Sequence, residues 1–157
     1  MSLGFSVSAR VARPAAEVFD AIVAPDKLSC YFTTVGGASA PLAEGATVVW
    51  WGTQEVRVEK LVAPSHIRLR WQSGAALDGD TVIDIRLQAL PDASTLVSID
   101  EHGWRDDDTG RSASYGNCQG WTQMLCSLKC WVEYGINLRA GYYPHELQTT
   151  PEPPDEA

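Results

Sequence analysis

The stretch NCQGWTQMLCSLKCWVEYGINL, Asn117 to Leu138, decides the fold. Within it Trp121, Met124, Leu125, Leu128, Trp131, Val132 and Gly135 recur at spacings of three and four, the period of a helix with one wide apolar stripe. Gln119, Gln123, Ser127 and Glu133 fall mostly between those positions and suit an opposing polar side. Upstream, apart from a short segment near residue 15, the sequence alternates in the manner of strands. A single long helix after many strands implies a sheet that bends around it. Burying about six side chains of the stripe, at roughly 1.5–3 kcal/mol each, yields on the order of 10 kcal/mol.

Phe5 to Arg13 alternates apolar and polar residues and predicts a first strand. Arg13-Pro14 opens a helix whose apolar face is Val18, Phe19, Ile22 and Val23 and which Pro25 stops. Asp26 caps a second short helix through Tyr31. Residues 32–44 are loop-like, with Gly36-Gly37 and Pro41 as breakers. Further strands are expected over Thr47–Trp51, Gln54–Val62, His66–Gln72, Asp80–Ala89 and Ser94–Glu101, each alternating and separated by turn residues. Gly103 to Ser114, with the acidic run Asp106-Asp107-Asp108, predicts an exposed loop before the long helix. The expected organisation is one domain over 1–143 and an acidic, proline-rich, disordered tail over 144–157. The fold class is α+β: a curved antiparallel sheet of about six strands wrapped around a long C-terminal helix, with two short helices after the first strand.

The 157 residues carry a net charge of −8, which argues against nucleic acid or an anionic membrane as partner. No apolar run is long enough to span a bilayer, and the first residues lack a secretory layout, so a cytoplasmic location is expected. Cys30, Cys118, Cys126 and Cys130 are expected to be reduced thiols serving as small packing residues, because no histidine or paired cysteine completes a metal site. Phosphate-loop, metal and Ser-His-Asp patterns are missing in usable form, and no cofactor is called for.

The opening RVARPAAEVFDAIVAPDKLSCYF (residues 10–32) and the closing GWTQMLCSLKCWVE (residues 120–133) resemble single-domain proteins related to the Hsp90 ATPase activator. Gly120-Trp121, Leu125, Leu128, Lys129 and Glu133 stand where that family has its glycine-tryptophan helix. The resemblance implies the START-like, helix-grip (SRPBCC) fold and a deep cavity between sheet and helix. Members of that superfamily hold lipids, sterols, polyketides or other apolar molecules there, and a minority catalyse cyclisation or related chemistry. It also implies a chaperone as an alternative partner, with a role in stress response. The eukaryotic co-chaperones of the family carry a further N-terminal domain, whereas this sequence opens on the first strand, so ligand binding is the expectation placed first. An enzymatic role of cyclase or hydrolyase type stands third, since it needs two converging ionisable groups and the sequence nominates one.

That one is Glu101. If Val97 and Ile99 point inward, the period of two carries Glu101 inward as well, where it could anchor a polar group of the ligand. Trp50 and Trp51, adjacent on one strand, should point to opposite faces. Trp50, Trp71, Glu101, Trp104, Trp121 and Leu125 are the cavity-lining candidates, with no catalytic and no metal-binding residue among them. Arg57, Arg68, Arg70, Asp84 and Arg86 make a charged outer face that needs no functional reading. An exposed TVVWW strand would suit a dimer edge.

Overall fold

The computed structural model describes residues 2–149, with side chains through 146. Its elements are β1 (Leu3–Val11), α1 (Ala15–Val23), α2 (Pro25–Leu28), β2 (Thr47–Trp50), β3 (Gln54–Val62), β4 (His66–Gln72), β5 (Asp80–Ala89), β6 (Thr95–Trp104) and α3 (Asp108–Tyr134). The six strands form one antiparallel sheet in the order β1-β6-β5-β4-β3-β2. The first strand therefore returns to pair with the last, while the others follow as a meander. A 3-10 turn over Pro144–Thr149 occupies the start of the expected tail, and residues 150–157 lie outside the described residues.

Alternation along the strands sorts side chains as the sequence pattern requires. Ile67 and Leu69 of β4, Ile83 and Ile85 of β5, and Val97 and Ile99 of β6 are fully buried and share one face of the sheet. Met124, Leu125 and Leu128 of α3 join the same core, as do Val18 and Ile22 of α1. On the opposite face Asp84, only 4% exposed, receives two bonds from Arg68 (2.9 and 3.0 Å) and lies 2.6 Å from His66. Burial pushes the Asp84 carboxyl up, but the Arg68 and His66 contacts outweigh it and hold it below the ordinary aspartate value. The remaining outer-face arginines pair as Arg57 with Asp80, Arg70 with Glu59 and Arg86 with Asp100.

A small correction concerns α2, which ends at Leu28 and has no side-chain cap, Asp26 lying inside its first turn. Three larger ones follow. First, α3 starts at Asp108, so most of the segment read as an exposed loop is β6 or helix. Asp107 caps the helix, its Oδ1 accepting the Gly110 N–H at 2.7 Å. Gly110 is required there, because a Cβ would stand 1.8 Å from the Arg105 carbonyl oxygen. The inward positions of this first part of the helix are Gly110, Ser114 and Asn117, and small or polar residues leave no apolar periodicity to read. At its other end Gly135, at φ 69°, stops the helix short of Leu138. Second, β2 ends at Trp50, and Trp51 adopts a left-handed φ of 54° that swings its ring back beside Trp50. The two indoles meet edge to face at 5.7 Å instead of pointing to opposite faces. Trp50 is buried, and Ser39 Oγ together with an Ala38–Trp50 bridge covers this sheet edge. Third, the four cysteines are free but none is buried, and Cys30 and Cys126 are exposed.

β6 also runs farther than the alternation indicated, through Trp104. Gly103, at φ 116°, and the register shift between Leu3 and Gly4 mark an irregularity next to Trp104. Trp104 is thereby buried against Phe5, stacked at 5.6 Å.

Candidate functional site

Glu101 is the chemical centre of the interior. Continuing the inward alternation of Val97 and Ile99, it reaches the space between β6 and α3 with no exposed surface. Four side chains donate to it. Trp121 Nε1 bonds Oε1 at 2.7 Å, Thr81 Oγ1 bonds Oε2 at 2.8 Å, and Trp71 Nε1 bonds Oε2 at 3.2 Å. Asn117 Nδ2 spans both oxygens at 3.1 and 3.0 Å. All four donors are uncharged, so a buried carboxylate is held by dipoles alone. Burial pushes the Glu101 carboxyl above its ordinary value, and the donated bonds, that from Trp121 foremost, pull it part of the way back.

Three of the donors, Trp71, Asn117 and Trp121, in turn line a cleft. Trp71 from β4 and Trp121 from α3 stack at 5.6 Å with 15° between planes, and Phe32 stacks on Trp121 at 5.5 Å. Trp51, its indole N–H bonded to the Phe32 carbonyl at 3.1 Å, closes this aromatic side. The cleft has a volume of about 290 Å3 and is completed by Asn117, Gln54 and Gln72, with Arg139 among its lining residues. Its size sits near the lower end of ordinary small-molecule pockets.

Beside Asn117 and Trp121, two of the four cleft-lining positions of the helix have no side chain. Gly116 and Gly120, one turn apart and both lining the cleft, would meet no atom within 4 Å if either carried a Cβ. Glycine inside a helix costs about 1 kcal/mol relative to alanine, and no steric conflict requires it at these two positions. What the two glycines provide is open volume beside Trp121. Gly116→Ala and Gly120→Ala are each expected to raise stability by about 1 kcal/mol, measured by urea denaturation. A loss of stability in either variant would mean that the helix needs glycine for another reason.

The sequence candidates separate into three groups. Trp71 and Trp121 line the cleft, and Glu101 stands directly behind them, its oxygens occupied by their indoles. Trp50 is buried one layer away, edge-on to Trp71 at 6.2 Å. Leu125 is in the main core and Trp104 packs on Phe5, neither of them among the cleft-lining residues. Sequence reading nominated none of Asn117, Gly116, Gly120, Phe32 and Arg139 as site residues, and of the Trp50-Trp51 pair it chose Trp50, whereas Trp51 lines the cleft. Asn117, Gly120 and Trp121 do carry a signal, because their spacings of three and four put them on one helix side with a polar and a missing side chain. Arg139 follows the helix and has no such signal.

A family model described as Activator of Hsp90 ATPase homolog 1-like protein matches residues 12–133, well over half of the chain. The chain belongs to this Hsp90-activator-like family. Among curated proteins none matches the sequence. Solved structures with the same fold include SSP2350 from Staphylococcus saprophyticus, at 22% identity and a TM-score of 0.71, over 87% of this chain and 96% of that one. DynU16, a protein of the dynemicin biosynthetic locus, shares 21% identity with a TM-score of 0.71, over 84% of this chain and 48% of its own. The Aha1 dimer from Colwellia psychrerythraea aligns at 18% identity and a TM-score of 0.70, over 86% of this chain and 99% of that one. At these identities the likeness is one of fold, the helix-grip arrangement of sheet and long helix. No helix among the described residues of this family member is long and apolar enough to cross a membrane.

Proposed function

We propose that the protein binds a small, flat apolar or amphipathic molecule, polyketide-like more readily than sterol-sized, against the stacked indoles of Trp71 and Trp121. The observation that carries this reading is the pair Gly116 and Gly120, which leaves open volume beside the aromatic wall at a cost in helix stability. Glu101 serves as a positioning residue: its bonds fix the planes of both indoles, and the ligand packs in the open volume beside them. The place of DynU16 in a biosynthetic locus is in keeping with a natural-product ligand.

Native mass spectrometry of the purified protein, followed by organic extraction, tests the reading directly. A retained apolar compound is expected in the wild type and not in Gly120→Leu, whose side chain fills the cleft while the helix remains intact. Equal retention by both proteins would place the compound elsewhere and refute the cleft as its site. The family model and the fold shared with an Aha1 dimer favour a second reading, a co-chaperone-type interaction. Stimulation of Hsp90 ATPase by this chain, undiminished in Gly120→Leu, would support that reading instead.

A further inference from the structure

We infer that the ligand of the cleft is an anion, a flat apolar body bearing a carboxylate or equivalent group, and that Arg139 is its counter-ion. The inference rests on the small-molecule reading and adds the charge of the ligand to it.

Among the described residues lining the cleft, Arg139 alone carries a charge; its other walls are aromatic rings, glycines, amides and a serine. That is notable in a chain whose net charge is −8. The position of Arg139 is built by a sequence of specific contacts. Gly135, in the left-handed region, reverses the chain at the end of α3, its N–H bonding the Trp131 carbonyl at 2.8 Å. The following segment runs back along the helix and is tied to it at Gln123, whose Nε2 donates to the Tyr142 hydroxyl at 2.8 Å. The Tyr143 hydroxyl donates to Gln123 Oε1 at 3.0 Å. Between these ties, Asn137 Oδ1 accepts the Arg139 N–H at 3.0 Å, and the Tyr142 N–H bonds the Arg139 carbonyl at 3.1 Å. The guanidinium then lies 5.2 Å from the centre of the Phe32 ring and 5.5 Å from that of Tyr143.

Phe32 thus has Trp121 stacked with it and is also covered by the guanidinium. A guanidinium held over an aromatic ring keeps its N–H edges free to bond an acceptor in the ring plane's surroundings, which suits a planar carboxylate. An aromatic body lying along Trp71 and Trp121 would bring a substituent at its Phe32 end to Arg139. Arg139 also borders two smaller clefts, of about 250 and 200 Å3, neither of which includes Trp71 or Trp121.

Two fluorescent probes that differ in one charged group separate the outcomes: 8-anilinonaphthalene-1-sulfonate, an anion, and N-phenyl-1-naphthylamine, its neutral counterpart. The anionic probe is expected to bind at least about tenfold more tightly than the neutral one. Arg139→Gln should lower affinity for the anionic probe by about tenfold and leave the neutral probe unchanged. Gly120→Leu should abolish binding of both. Binding of the neutral probe that Gly120→Leu removes, without any preference for the anion, overturns the inference and leaves the cleft as the binding site. Equal binding of the anion by wild type and Arg139→Gln overturns it too. Failure of both probes to bind, or binding indifferent to Gly120→Leu, overturns the small-molecule reading itself.

Discussion

Trp121→Ala is expected to cost about 3–5 kcal/mol of stability, the range for truncating a fully buried large aromatic. The indole is 2% exposed and stacks with Trp71 and with Phe32, so its loss opens a void between the sheet and α3. It also removes the shortest bond to Glu101, leaving a buried carboxylate short of a donor. Urea denaturation measures the sum, and Trp121→Phe divides it. Phenylalanine keeps a stacked ring while dropping the N–H, so a loss of about 1–3 kcal/mol is expected from the missing bond. A cost below about 1 kcal/mol for Trp121→Ala would show that the aromatic stack is not part of the folded core.

Glu101→Ala is expected to destabilise by about 2–4 kcal/mol, because truncation strands the buried Trp121 N–H and Thr81 hydroxyl along with two half-buried donors. The charge itself works in the opposite direction. A folded-state value raised above the unfolded one means that the fold prefers the protonated acid. The associated stability is present in full below the ordinary glutamate range and is lost as pH rises through the raised value. Measured against Glu101→Gln, which cannot ionise, the wild type should therefore lose relative stability as pH climbs from about 4 towards neutrality. A difference that stays flat across that interval would mean that the four donors fully offset the burial of the charge.

The inward direction of Glu101 was legible because strand periodicity is rigid: Val97 and Ile99 leave residue 101 only one side to face. Its donors were less so. Trp71 and Trp121 could be nominated as large aromatics, but Thr81 and Asn117 come from other elements and meet Glu101 only after the sheet has closed over the helix. The beginning of α3 escaped pattern reading for the same reason that the cleft exists. Where a helix faces a packed core, its inward residues are apolar and periodic; where it faces Glu101 and open volume, they are Ser114, Asn117 and Gly120. Trp51 shows a different limit, since a left-handed residue at a strand end reverses the expected facing and non-glycine residues rarely take that conformation. The proximity of Arg139 to Phe32 spans more than a hundred positions of sequence and depends on the reversal at Gly135.

The near-parallel indoles of Trp71 and Trp121, 5.6 Å apart, have an optical consequence. Two identical chromophores at that separation share their excited states, so their ultraviolet circular dichroism carries a paired band whose sign and size depend on the angle between rings. Because both rings are steered through the one carboxyl group of Glu101, a compound that presses on either should alter that band as a unit. The wild-type chain thus contains an intrinsic, label-free readout of cleft occupancy, and Glu101→Ala, which removes the bonds that fix the two ring planes, is the variant in which it should weaken.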